Sequence, residues 1–142
     1  MLYMDSSSFL KLFLHEAESA AVHEAVESED AIVISMLTQL ETETQLRAAL
    51  LGGRLTKYRY RKVFADYEEA VTMSPFLLRA LPGSVFTTAV RIHRDHPELH
   101  CRSLDRLQIA AMNELGIKRL MCHDTRLCAV ATALGCDVLR PE

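Results

Sequence analysis

The sequence predicts an α/β fold, a mostly parallel sheet with helices on both faces. Two observations carry that expectation. Short apolar runs alternate with longer amphipathic stretches along the chain. The final third reads strand, helix, strand with brief glycine-marked turns, the pattern of a βαβ unit.

Each element has its own justification. Leu2–Met4 is a short apolar strand. Ser6–His15 reads as a helix, with Ser6 to Ser8 as caps and Phe9, Leu10, Phe13 and Leu14 at helical spacing. Ser19–Glu29 is a second, more polar helix. Ala31–Ser35 is β-branched and apolar, as a strand buried on both faces requires. The helix formers after Ser35 run to Gly52-Gly53. A further amphipathic helix follows and is closed by Pro75, Pro82-Gly83 marks a turn, and Ser84–Asp95 is helical until Pro97. Ser103 is placed to cap "LDRLQIAAMNEL", which stops at Gly116. "IKRLMCH" is then a strand, "DTRLCAVATAL" a helix ended by Gly135, and "CDVLRP" a last strand.

A chain of 142 residues is expected to form one domain, 1–142, and 49% hydrophobic with 25% charged residues is ordinary for a soluble globular protein. No apolar run approaches a membrane span and no secretory leader is recognisable, so a cytoplasmic protein with no membrane partner is expected. Cys101, Cys122, Cys128 and Cys136 include no CxxC pair and sit among apolar residues, which favours reduced thiols. A net charge of −3 argues against coating nucleic acid by bulk charge. The five glycines build neither GxGxxG nor a Walker loop, which argues against a glycine-cradled nucleotide. His93, His96 and His100 fall in a Pro97-interrupted polar region, a poor zinc frame.

In a parallel sheet, functional groups gather at the carboxyl ends of the strands. Asp5 directly follows the first strand and Asp124 follows "RLMCH" at the matching place in the last unit. Glu41 lies one or two turns into the helix after Ala31–Ser35, and Asp105 in the first turn of the helix after Ser103. Taken singly, Asp5, Asp105 and Asp124 each read as helix caps, favourable by about 0.3–1 kcal/mol. Thr38-x-x-Glu41 as a capping box is the structural alternative for Glu41. Convergence changes the balance, because two unit charges about 4 Å apart repel by about 4 kcal/mol at an effective dielectric of 20. Protons or cations must then neutralise the cluster, and carboxylates suit hard Mg²⁺ or Mn²⁺. Water or hydroxide on such an ion is a nucleophile for phosphodiester hydrolysis.

"YMDSSSFLKLF", "ISMLTQLETE", "RSLDRLQIAAM" and "MCHDTRLCAVATALGCDVL" resemble, in order, the four signature blocks of PIN-domain ribonucleases. The likeness is to the VapC-type toxins of type II toxin–antitoxin pairs. The resemblance implies a three-layer α/β/α sandwich around a mostly parallel sheet of four or five strands. It implies a metal-dependent endoribonuclease whose acidic quartet falls on Asp5, Glu41, Asp105 and Asp124. Asp5 and Asp105 are then expected to hold the principal Mg²⁺ or Mn²⁺. Glu41 binds it directly or through water, and Asp124 completes the shell or holds a second ion. Cleavage is expected to leave a 5′-phosphate. Ser6 matches the usual hydroxyl-bearing residue beside the first acid. Cys122 stands where the family usually has Thr or Ser, and is a poorer hydrogen-bond partner.

Further expectations are an RNA substrate, a homodimer, and a cognate antitoxin that covers an apolar groove and can place a basic side chain in the acidic site. The alternative is a catalytically impaired PIN-like module that binds RNA or protein. Lys57, Arg59 and Arg61, interleaved with Tyr58 and Tyr60, form a candidate RNA grip, or else a solvated helix face diluted by Asp66, Glu68 and Glu69. His123, beside Asp124, is placed either to touch substrate or to point away from it.

Overall fold

The computed structural model describes residues 1–142. Its strands are β1 (Leu2–Met4), β2 (Ile32–Ser35), β3 (Phe76–Arg79), β4 (Arg119–Met121) and β5 (Asp137–Leu139). The α-helices are α1 (Ser6–Phe9), α2 (Ser19–Glu27), α3 (Met36–Leu51), α4 (Lys57–Ala70), α5 (Ser84–Asp95), α6 (Ser103–Glu114) and α7 (Thr125–Ala133). The strands form one sheet in the order β3-β2-β1-β4-β5, and every neighbouring pair is parallel. The chain builds outward from β1 through β2 to β3, then returns to lay β4 on the other side of β1. That reversal makes the β1–β4 edge a topological switch point, where open parallel sheets bind ligands.

The period-two alternation of the strands divides the core into two layers. Leu2, Met4, Ile32, Ile34 and Met121 pack with Phe9, Val22, Leu46, Val63 and Tyr67, under α1 to α4. Tyr3, Val33, Leu120 and Cys122 pack with Val85, Ile109, Met112, Leu127 and Val130, under α5 to α7. Each fully buried large aliphatic chain contributes roughly 1.5–3 kcal/mol. The result is the expected three-layer sandwich.

The glycines at the ends of α6 and α7 do specific work. Gly116 and Gly135 have φ of 67° and 80°, which a side chain rarely tolerates. In each case the next residue bonds back across the last turn, Ile117 N to Met112 O at 2.9 Å and Cys136 N to Ala131 O at 2.9 Å. Both are Schellman closures that send the chain straight into the following strand.

Three local expectations need correction. The first helix does not reach His15; α1 gives way to a 3₁₀ turn at Leu10–Leu12. The cause is Lys11, which is buried and held by Glu16 at 2.7 Å and Glu18 at 2.8 Å, so the chain folds back over it. Ser103 does not cap α6. It is the first helical residue, and Arg102 takes the cap position with its N–H donating to Asp105 Oδ2 at 3.0 Å. The segment Phe76–Arg79, between Pro75 and the Pro82-Gly83 turn and assigned no element above, is a fifth strand. It lies at the sheet edge with Leu78 and Arg79 exposed, so its sequence lacks a clean alternation.

Candidate active site

Local structure places each acid. Asp5 leaves β1 in extended backbone and caps α1, its Oδ1 accepting from Ser8 N at 3.2 Å and from Ser7 Oγ at 2.9 Å. Asp124 leaves β4 and caps α7, its Oδ1 accepting from Arg126 N and Leu127 N, both at 2.9 Å. Asp105 stands in the first turn of α6. Glu41 lies in the second turn of α3, and the capping-box explanation for it does not hold. The cap of α3 is Ser35, which accepts from Thr38 N at 3.2 Å, while Thr38 Oγ1 donates to Met4 O at 3.2 Å.

These acids, from four separate parts of the sequence, line one cavity of about 450 Å³ at the switch-point edge, together with Ser6 and Ser7. Asp5 is 3% exposed and Asp105 6% exposed; Glu41 and Asp124 are half-buried. Burial pushes the Asp5 carboxyl up to about 6 from its ordinary 3.8, against the hydrogen bonds from Ser7 and Ser8 that pull it down. Burial also raises Glu41, opposed by hydrogen bonds from Gln108 and Ser6.

Four residues that sequence reasoning passed over complete the site. Ser7 uses its whole hydrogen-bonding capacity there. It donates to Asp5 Oδ1 and accepts from His123 N at 2.8 Å and Asp124 N at 3.0 Å, tying the ends of β1 and β4 together. Gln108, a buried polar residue one turn after Asp105 on α6, donates through Nε2 to Glu41 Oε2 and accepts through Oε1 from Tyr3. Tyr3 in turn meets Ser35 Oγ at 2.7 Å. Arg102 is the only basic side chain lining the cavity. Its Nε lies 3.2 Å from Asp105 Oδ2, and its Nη2 2.8 Å from Asp124 Oδ2 and 3.4 Å from Asp105 Oδ1. The run of hydroxyls after Asp5, the lone glutamine in "LQIAAM" and the arginine before Ser103 were the available signals.

The other predicted residues fall as follows. Ser6 Oγ donates to Glu41 Oε2 at 3.1 Å. Cys122 is fully buried beneath the site, its thiol 3.4 Å from Asp124 O and 3.9 Å from Ser7 Oγ. The four cysteines are free thiols; Cys101 and Cys122 are buried, and Cys128 and Cys136 are half-buried. His123 points away from the cavity, with its ring nitrogens 2.8 Å from Ser8 Oγ and 2.8 Å from Pro141 O. Lys57, Arg59 and Arg61 lie in the first turns of α4, and none lines the acid cavity. Arg59 borders a separate hollow with Phe13, Leu14 and Arg54.

The donor set suits a hard divalent ion, being all carboxylate oxygen. The bonds to Asp5 fall on Oδ1 and those to Glu41 on Oε2, leaving Asp5 Oδ2 and Glu41 Oε1 without hydrogen-bond partners. No three of the chain's His, Cys, Asp and Glu side chains converge tightly enough to hold a metal as they stand. The guanidinium of Arg102 occupies two of the four acids.

A parallel five-stranded sandwich with an acidic cavity at its switch point defines a class of α/β proteins, and the comparisons say which. The chain belongs to the PIN domain family, whose model matches residues 2–133. No curated protein sequence matches it. Among solved structures it is similar to Mycobacterium tuberculosis VapC20, described as a sarcin–ricin loop cleaving toxin. That likeness has a TM-score of 0.73 and 18% identity, over 99% of this chain and 100% of that one. It is also similar to VapBC2 from Rickettsia felis, bound to a DNA fragment from its promoter, with TM-score 0.71 and 10% identity over 100% of both chains. FitAcB from Neisseria gonorrhoeae gives TM-score 0.66 and 15% identity, over 98% of this chain and 96% of that one. At these identities the likeness is one of fold. No helix is long and apolar enough to cross a membrane.

Proposed function

We propose that this chain is a metal-dependent endoribonuclease that hydrolyses RNA phosphodiester bonds and is the toxin of a VapBC-type pair. The observation that carries the reading is the meeting of Asp5, Glu41, Asp105 and Asp124 in one cavity, with unpartnered oxygens on Asp5 and Glu41. Asp5 and Asp105 would hold the principal Mg²⁺ or Mn²⁺, with Glu41 and Asp124 completing its shell. When bound, the ion supplies an activated nucleophile and offsets charge growing on the phosphoryl group. The protein's own part is to fix the carboxylates. Ser7 sets Asp5 against the β4 end, Gln108 and Ser6 set Glu41, and the α6 and α7 caps set Asp105 and Asp124.

Two further assignments accompany this one. Lys57 and Arg61, exposed on α4 beside the 80%-exposed Tyr58, contact RNA phosphates outside the cavity. The exposed apolar side chains Met36, Leu40 and Phe86, around a hollow between α3 and α5, form the face for a second copy of the chain. The likeness to a VapBC pair supports an antitoxin partner. A cytoplasmic setting accords with free thiols.

One observation favours a second reading, a PIN-like binding module without catalysis: Arg102 pairs with two of the four acids. Incubation with a pool of structured RNAs in Mg²⁺ or Mn²⁺, followed by mapping of new ends, separates the two. Cleavage by the wild type and not by Asp5→Asn supports the nuclease; intact RNA bound by both supports the module.

A further inference from the structure

We propose that Arg102 is the exchangeable cation of the acid cavity. It pairs with Asp105 and Asp124 in the metal-free protein, and it transfers to a substrate phosphate when a divalent ion takes those carboxylates. The inference rests on the metal-dependent nuclease reading and adds a substrate-binding residue to it.

The geometry supports both halves of the exchange. Arg102 spans two acids from different helices, Nε and Nη2 reaching Asp105 and Nη2 reaching Asp124. While it does so, its fork uses the same carboxylate oxygens that an ion would need, and no three donors close on one point. The side chain is 64% exposed. Water can therefore solvate the guanidinium as it leaves, while the charge of the buried Asp105 passes to the incoming ion. Asp105 keeps the backbone N–H of Arg102 at 3.0 Å when the side chain departs, so the carboxylate stays oriented.

The second half follows from charge. A cavity lined by four carboxylates repels the phosphate it must admit, and Arg102 is the only basic side chain on its wall. Its backbone is anchored at the cap of α6, so a released guanidinium remains at the cavity mouth. A planar fork that binds carboxylates in two-point fashion binds phosphate oxygens in the same way.

The test uses full-length wild type, Arg102→Ala, Arg102→Gln and Asp5→Asn. Mn²⁺ affinity is read calorimetrically in the absence of RNA, and cleavage kinetics are then read at saturating Mn²⁺. Removing the exposed guanidinium that competes for Asp105 and Asp124 should tighten Mn²⁺ binding about threefold in both Arg102 variants. Losing a charged contact to phosphate should raise KM for RNA about tenfold, with kcat changing less. Equal Mn²⁺ affinity in wild type and both Arg102 variants overturns the exchange and leaves the metal reading intact. So does an unchanged KM at saturating Mn²⁺. If no variant, wild type included, binds Mn²⁺, the metal reading itself fails and the exchange with it.

Discussion

Gln108 holds Glu41. Its side-chain N–H donates to Glu41 Oε2 while its carbonyl oxygen accepts from Tyr3, so one buried amide links a cavity carboxylate to the centre of the sheet. The orientation of the amide is forced, because only the N–H end can face a carboxylate.

Replacing Gln108 by Leu should release Glu41 and leave the Tyr3 hydroxyl one partner short. Cleavage should fall by roughly tenfold or more, and stability by about 1–3 kcal/mol. Tyr3→Phe separates the two effects. It removes the far end of the link without touching Glu41, so urea unfolding should register it while kcat changes little.

Ser7, and not the residue at 122, supplies the organising hydroxyl. Ser7→Ala leaves the N–H groups of His123 and Asp124 without their acceptor, and should cost about 1–3 kcal/mol in chemical unfolding. Cys122→Ser should leave cleavage within about twofold of wild type, because the network it would join is already complete around Ser7.

The raised Asp5 pKa has a definite sign in stability. In the folded protein the group holds its proton up to about 6, against an ordinary 3.8. The folded state therefore binds more protons between those values. The stabilisation is fully present below 3.8 and is lost as pH rises through about 6. In EDTA, Asp5→Asn should then be more stable than wild type at pH 8, by about 2–3 kcal/mol, and close to it at pH 4. Urea unfolding at the two pH values checks this; equal differences at both would contradict it.

Charge reversal of Lys57 and Arg61 on α4 should weaken RNA binding and flatten its dependence on salt. Each lost phosphate contact lowers the slope of log affinity against log salt by about one. Fluorescence anisotropy over a salt series reads both, and an unchanged slope would return α4 to an ordinary solvated face.

What could be read from the sequence was whatever depends on neighbours along the chain. Leu2–Met4, Ala31–Ser35 and the last βαβ unit declared themselves by apolar runs and glycine stops, and the sheet followed. Asp5, Asp105 and Asp124 were legible because each sits next to a strand end or helix start, Glu41 because it follows one or two turns after the second strand, and the structure does bring the four to one cavity. Arg102 was not, because only the fold brings its second acid, Asp124, within reach. Ser7 and Gln108 were not, because their work is done across long separations: Ser7 meets residues 116 and 117 positions away, and Gln108 meets Glu41 67 positions away. No periodicity encodes such pairings. Ser103 was misjudged for a related reason. Its capping propensity yielded to Asp105, which already satisfies the backbone N–H of Arg102. The edge strand at Phe76–Arg79 escaped because its two halves differ in burial, with Leu78 and Arg79 exposed, and show no alternation.

The most direct measurement compares wild type with Asp5→Asn on structured RNA in Mn²⁺, with end mapping of the products. Asparagine keeps a side-chain oxygen for capping α1 but removes a cavity charge, so the variant should fold and lose function only. We expect new 5′-phosphate ends from the wild type and a rate lower by about a hundredfold or more in the variant. Equal cleavage by both proteins would contradict the assignment of the four-acid cavity as the catalytic centre.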